Sequence, residues 1–242
     1  MVGNNNFFDL YEDFFETSSV GISPNRLNNR YKALIENNTE IIKNSMILDL
    51  ASHDGRWSFA GLMNGASKVI GIEGRRELVE NGKSTMKKYG IPDEKYSFKV
   101  GDLFEEIDKI SEKIDVVFCF GIFYHVMNHM LLLSSIKRLS PRYIILDSIV
   151  STLNEPVIEL KLDNIRDPAA AIKANTSYKT IVGWPSKKAI ELMLTDIGYD
   201  FHYYDWQNAG ITNWIDIEDY RDGKSVSIVA RKVASPSEGQ NL

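Results

Sequence analysis

Met46-Ile47-Leu48-Asp49-Leu50 opens the stretch that decides the fold. It is a short run, apolar except for Asp49, and the polar turn Ala51-Ser52-His53-Asp54-Gly55 follows it. Trp57–Met63 then reads as a helix, and Lys68-Val69-Ile70-Gly71-Ile72 repeats the short apolar run before ending in Glu73-Gly74. Apolar runs of this length, bounded by turn residues and separated by helical patterns, are buried strands joined by crossovers. The alternation continues with a helix over Glu77–Tyr89, stopped by Gly90 and Pro92. Tyr96–Val100 reads as a strand, Leu103–Ile110 as a short helix and Ile114–Phe120 as a strand; His129–Leu139 is a helix and Arg142–Ile149 a strand. Strands apolar on both faces belong to a parallel sheet covered by helices on both sides.

Upstream, Phe7, Phe8, Leu10, Tyr11, Phe14 and Phe15 predict an aromatic-faced helix over 7–16. Ser23 as N-cap and Pro24 at the first helical position open a second helix, expected to run to about Lys43. Downstream the rhythm breaks. Val157–Leu162 alternates like an edge strand, while Asp167-Pro168 and Asn175-Thr176-Ser177 read as loop. Pro185–Ile197 reads as a helix capped by Gly198, and Phe201–Trp206 and Ser225–Val233 as the last two strands. The expected organisation is a helical lid over 1–45, a ligand-binding core over 46–150 and an insertion over the acceptor site at 151–184. The last helix and strand pair of the core occupy 185–233, and a polar tail 234–242.

Of the 242 residues, 43% are hydrophobic and 25% charged, which excludes a disordered chain or a disulfide-stapled mini-protein. The 28 basic and 33 acidic residues give a net charge of -5, which argues against a general nucleic-acid binder. Cys119 is the sole cysteine and lies in the apolar run Val116–Phe120, so it reads as a small buried hydrophobe. There is no apolar stretch long enough to span a membrane and no secretory signal, so the expected location is the cytoplasm.

In an open parallel sheet, ligands bind beyond the carboxyl ends of the strands. Glu73, at the end of the second strand, is placed to accept hydrogen bonds from a ribose diol, which points to a nucleoside-containing cofactor. Ala51 and Ser52 stand where the close approach of a diphosphate demands glycine, so a dinucleotide is disfavoured.

The ordered set Asp49–Gly55, Glu73, Gly101-Asp102-Leu103 and Phe120–His125 resembles class I S-adenosylmethionine (SAM)-dependent methyltransferases. The resemblance covers about residues 46–150 plus the final helix and strand pair. It implies a Rossmann-like, doubly wound, mostly parallel seven-stranded sheet whose last strand, Ser225–Val233, is antiparallel. It also implies SAM as cofactor and S-adenosylhomocysteine (SAH) as product. Asp49, Ala51, Ser52 and Gly55 would hold the methionine part and Glu73 the ribose. Asp102 would bind the adenine amine, with Gly101, Leu103, Phe120 and Gly121 completing the cofactor-binding set. The glycine-poor first loop departs from the family pattern. Gly121-Ile122-Phe123-Tyr124-His125 is similar to a G-x-x-Y-H segment of small-molecule methyltransferases and of tRNA wobble-uridine-modifying relatives.

Several residues have two readings. Asp102 suits either adenine or an N-cap, and Asp49 either the cofactor or the loop's backbone. Arg30, one turn after Arg26, is either a clamp for the cofactor's carboxylate or a surface charge. Tyr11 and Tyr31 either close over the site or pack the N-terminal helices. Trp57, Phe123 and Trp184 either line an acceptor pocket or fill the core. His125, with Tyr124 beside it, is the leading candidate for a base or an orienting group, and His53 more simply shapes the first loop. His125 and His129 are four residues apart but no third ligand is near, so no metal is expected. His202 reads as an exposed strand position. The expected function is methyl transfer from SAM to an oxygen or nitrogen of a small-molecule acceptor. The alternatives are a tRNA-modifying enzyme, for which Arg75, Arg76, Lys83, Lys87 and Lys88 would be the basic track, and a non-catalytic SAM-binding module.

Overall fold

The computed structural model describes residues 6–16, 23–164 and 179–234. Its strands are β1 (Met46–Leu50), β2 (Lys68–Glu73), β3 (Tyr96–Val100), β4 (Val116–Phe120), β5 (Tyr143–Ile149), β6 (Ile158–Asn164), β7 (Lys179–Pro185), β8 (Tyr199–Tyr203) and β9 (Ser225–Lys232). The helices are α1 (Pro24–Leu34), α2 (Thr39–Ile42), α3 (Arg56–Met63), α4 (Arg76–Lys88), α5 (Leu103–Asp108), α6 (His129–Leu139), α7 (Lys187–Asp196) and α8 (Glu218–Arg221). Seven strands form one sheet in the order β3-β2-β1-β4-β5-β9-β8, and β6 pairs with β7 in a separate antiparallel ribbon. Strands β1 to β5 pair in parallel, and β9 runs antiparallel to both β5 and β8.

Two cores explain the continuous apolar runs. Leu48, Ile70, Val117, Cys119 and Leu146 face one side, with Leu132, Leu133 and Ile136 of α6 and Ile190 and Leu194 of α7. Ile47, Val69, Val116, Phe118 and Ile145 face the other, under Leu27 and Leu34 of α1, Phe59 of α3 and the N-terminal rings. Successive residues of one strand thus enter opposite cores. Cys119 is wholly buried, which pushes its thiol pKa up.

The structure departs from the sequence pattern in four places, one being the strand read over Phe201–Trp206, which as β8 spans Tyr199–Tyr203. Residues 7–16 are not one helix but two 3-10 turns, Phe7–Leu10 and Glu12–Phe15, broken at Tyr11 with φ -136° and ψ 63°. The break sends Phe8 and Phe14 into the same core, where both are almost wholly buried. The second helix ends at Leu34, not near Lys43, because Asn38 Nδ2 takes the carbonyls of Ala33 and Leu34 and so satisfies the helix end. Val157–Leu162 does not edge the main sheet. As β6 it pairs with β7, and Pro185, read as the start of a helix, is the last residue of β7. Ser186 is the actual N-cap of α7, accepting from Ala189 N–H. The loop readings at Asp167-Pro168 and Asn175-Thr176-Ser177 and nearly all of the 234–242 tail lie outside the described residues.

Candidate active site

The carboxyl ends of β1 and β2 meet at the loop Ala51–Gly55. Three of its residues are left-handed: Ala51 (φ 53°), His53 (φ 54°) and Gly55 (φ 75°). Only glycine adopts this conformation without strain, so the loop needs anchors. Ser52 N–H donates to the carbonyl of Ile72, and His53 N–H to Glu73 Oε2 at 2.9 Å. Glu73 Oε1 also accepts from Arg75 N–H. Small residues let the loop sit close. A Cβ on Gly71 would lie 2.5 Å from Phe98, and one on Gly55 2.7 Å from the same ring.

Acidic groups surround this loop. Asp49 is 1% exposed, and Ser58 Oγ donates to it at 2.7 Å. Burial pushes the Asp49 carboxyl up to about 7, with Glu73 and Asp54 adding to the effect. Asp54 is equally buried, but Arg56 grips it through Nε at 2.8 Å and Nη2 at 2.7 Å. Burial works against the charge on Asp54, yet Arg56 and His53 hold its carboxyl below the usual range. Ser52 Oγ is buried without a hydrogen-bond partner among the described residues.

At the end of β3, Gly101 N–H binds the Glu73 carbonyl, and Leu103 packs against the first core. Asp102 caps α5, with Oδ1 accepting from Phe104 and Glu105 N–H, so its N-cap role is present whatever Oδ2 contacts. At the end of β4, Phe120 meets Trp57 edge to face at 5.5 Å, and Gly121 N–H binds the Asp147 carbonyl.

Beyond Trp57 lies a polar network that the sequence pattern did not reveal. Arg30 lies over the Trp57 ring and donates to Asp147 Oδ2 from Nε at 3.1 Å and from Nη2 at 2.6 Å. Tyr220 and Ser227 donate to the same buried carboxylate. The ion pair occupies two of the three guanidinium nitrogens of Arg30. Arg26 forms a second pair, with Asp219 of α8. No motif flags Asp147, because with Ser148 it reads as a brief polar interruption in the apolar run of β5.

The β4–α6 turn carries Phe123, Tyr124 and His125 on one 3-10 turn. The ring of Tyr124 lies 4.1 Å from that of His125 and 6.4 Å from that of Trp184 on β7. Burial pushes the Tyr124 hydroxyl up to about 12, against the pull of Arg30 and Arg26. His125 Nδ1 sits 2.7 Å from Asp163 Oδ2 of β6. The structure therefore brings Tyr124, His125 and Trp184 together. It does not bring Phe123 to them as a lining residue, since Phe123 is wholly buried against His129. Nor does it bring Tyr11 and Tyr31. Tyr31 bonds Asn64 past the far end of α3, and Tyr11 packs on Phe59 and Tyr89. His129 Nε2 pairs with the Gly183 carbonyl, away from His125. Among the described residues, no group of three His, Cys, Asp or Glu side chains could hold a metal. No described helix is long and apolar enough to cross a membrane.

A methyltransferase-domain family model matches residues 41–208, more than half of the chain, and the chain belongs to that family of SAM-dependent methyltransferases. No curated protein matches the sequence. Among solved structures, it is similar to the N-terminal domain of EvdMO1 crystallised with SAH and D-fucose. That match has 19% identity and a TM-score of 0.62, and covers 85% of this chain and 82% of that one. It is also similar to DhpI in complex with SAH, at 16% identity and a TM-score of 0.60, covering 93% of this chain and 96% of that one. A third similar structure is a putative SAM-dependent methyltransferase from Listeria monocytogenes, at 12% identity and a TM-score of 0.59, covering 85% and 97%. At these identities the likeness concerns the fold.

Proposed function

We propose that this enzyme transfers the methyl group of SAM to an oxygen or nitrogen of a small-molecule acceptor. The observation that carries the reading is the convergence of two carboxylates, Asp49 and Glu73, on the Ala51–Gly55 loop, with Tyr124, His125 and Trp184 grouped after β4. The residues suit the cofactor. Glu73 uses one lone pair on each oxygen for backbone N–H groups, and a carboxylate has about four acceptor sites, so it can also receive a ribose diol. Asp49 favours a cationic ammonium near the loop. Ala51, Ser52, Gly55, Gly101, Asp102, Leu103, Phe120 and Gly121 would form the rest of the cradle. When bound, SAM supplies a methyl group made electrophilic by its sulfonium. The protein's own work is to orient the acceptor beside Tyr124 and His125, exclude water and manage its proton. The β6–β7 ribbon, which supplies Trp184, forms one wall of the acceptor side. The D-fucose crystallised with the EvdMO1 domain makes a small hydroxylated acceptor a sensible first choice.

The tRNA alternative loses support from the charges on α4. Lys83 is paired with Glu80 and Lys88 with Asp13, so neither adds to a free basic track. Calorimetry with SAM, followed by mass-spectrometric screening of sugars, phenols, acids and amines for methyl gain, tests the reading. SAM binding with methylation of a small acceptor supports it. SAM binding with methylation of tRNA alone would overturn it, and SAM binding without any transfer would favour a non-catalytic module.

A further inference from the structure

The β6–β7 ribbon is built the wrong way round for a surface hairpin. Along β6, the apolar side chains Ile158, Leu160 and Leu162 are 41%, 64% and 70% exposed, whereas the charged Glu159, Lys161 and Asp163 between them are partly buried. Antiparallel ribbons ordinarily turn their apolar side inward. Here the charged side is turned to the β4–α6 turn. Asp163 reaches His125, and Trp184, which stands opposite Glu159 in the ribbon, reaches Tyr124. Lys161 lies over the Trp184 ring.

The side chain of His125 is 8% exposed and its Nδ1 is 2.7 Å from Asp163 Oδ2. Asp163 is itself held, because Oδ1 accepts from Asn164 N–H. An imidazole that donates Nδ1–H to a carboxylate carries its basic lone pair on Nε2, and the carboxylate stabilises the imidazolium formed on protonation. Such a pair is idle for a carboxylate acceptor, which is already ionised at neutral pH, and for a neutral amine, whose lone pair takes the methyl and whose product keeps its proton as an ammonium; a neutral hydroxyl must lose its proton as its oxygen is alkylated.

We propose that Asp163 is a positioning residue that makes His125 a general base, and that the acceptor of this site is a neutral hydroxyl group. The proposal rests on the methyl-transfer reading above. As the acceptor oxygen bonds to the methyl carbon, its O–H proton passes to His125 Nε2. The carbon–sulfur pair stays on sulfur, so the products are a methyl ether, SAH and an imidazolium paired with Asp163. Among the described residues, the other charged or titratable groups around the turn are Tyr124, His129 at the start of α6, Glu159 and Lys161 on β6, and Arg26, Arg30 and Asp147, whose charges act on the Tyr124 hydroxyl.

The test has one arm without substrate. Nitrogen-15 NMR of the histidine rings in the full chain should show His125 as the Nδ1–H tautomer, and Asp163→Asn should abolish that preference while SAM affinity by calorimetry stays within about twofold. An Nε2–H tautomer in the wild type, or one unmoved by Asp163→Asn, would overturn the proposal. In the second arm, radiolabelled SAM is offered with methyl glycosides, phenols, carboxylic acids and amines. Label should enter the hydroxyl compounds. Asp163→Asn should lower kcat by about 10²-fold with little change in KM, and move the acid limb of kcat to lower pH by about one unit. Asp163→Glu should restore part of the rate. Labelling of carboxylates or amines alone, or wild-type kcat in Asp163→Asn, would sink it. Absence of SAM binding would instead count against the methyl-transfer reading, with the tautomer still judging the pair.

Discussion

Asp49 is a carboxylate placed where charge is costly. Burial raises its pKa from 3.8 to about 7, so between those pH values the folded protein keeps a proton that the unfolded chain has released. Unfolding therefore becomes easier as pH rises through that window, and the loss levels off above it. Asp49→Asn, which keeps an acceptor for Ser58, should remove this dependence. Thermal melts at pH 5 and pH 8 should show the wild type losing about 1–3 kcal/mol relative to the variant; parallel behaviour of the two proteins would refute it. A ligand ammonium beside Asp49 favours the ionised form, so SAM affinity should rise between pH 6 and pH 8 in the wild type and stay flat in the variant. Glu73 anchors His53 N–H and is the ribose acceptor we propose. Glu73→Ala should weaken SAM binding by about 10²-fold or more, because hydrogen bonds to a charged acceptor are worth about 1.5–3 kcal/mol each. Unchanged affinity in the folded variant would remove Glu73 from the site.

At the scale of elements, the N-terminal turns are part of the core as well as of any lid. Phe8 meets the Trp57 ring edge to face at 5.6 Å, and its N–H donates to Asn28 Oδ1. Phe8→Ala should cost about 3–5 kcal/mol, read from denaturant melts, because the cavity opens inside a close-packed aromatic cluster. A cost below about 1 kcal/mol would mean that the segment only rests on the surface. Helical spacing at 7–16 was visible in the sequence, but the break at Tyr11 was not. Both packings put aromatic residues inward, and only the shape of the surface under α1 and α3 selects between them. The same limit applies to β6. Its alternation was legible, but period two does not say which face is inward, and here the charged face is the partly buried one.

Across the whole molecule, the Arg30–Asp147 pair ties α1 to the sheet between residues 117 positions apart. Burial opposes the charge on Arg30, but Tyr220 and Asp147 keep its pKa raised. Removing one partner leaves the other buried and unpaired, so Arg30→Met or Asp147→Asn alone should cost about 3–5 kcal/mol. The double substitution Arg30→Met with Asp147→Asn should cost clearly less than the sum of the two, as a double-mutant cycle on thermal unfolding would show. Additive losses would mean that the pair is not an energetic unit.

The sequence by itself determined the α/β class, the strands of the parallel half and where those strands end, at Asp49–Gly55, Glu73 and Gly101-Asp102-Leu103, the positions we propose for the cofactor. Those features are local, because strand burial follows from continuous apolar runs and ligand residues sit where such strands end. Tertiary structure alone decided the groupings on which the proposed acceptor side rests. Asp147 joins Arg30, Asp163 joins His125 and Trp184 joins Tyr124 through contacts between segments remote in the chain, and no periodicity within one segment encodes them. It also placed the rings of Tyr11, Tyr31 and Phe123 against Phe59, Asn64 and His129, because an aromatic ring obeys the same burial rule in a core as in a pocket, and only its neighbours tell the two apart.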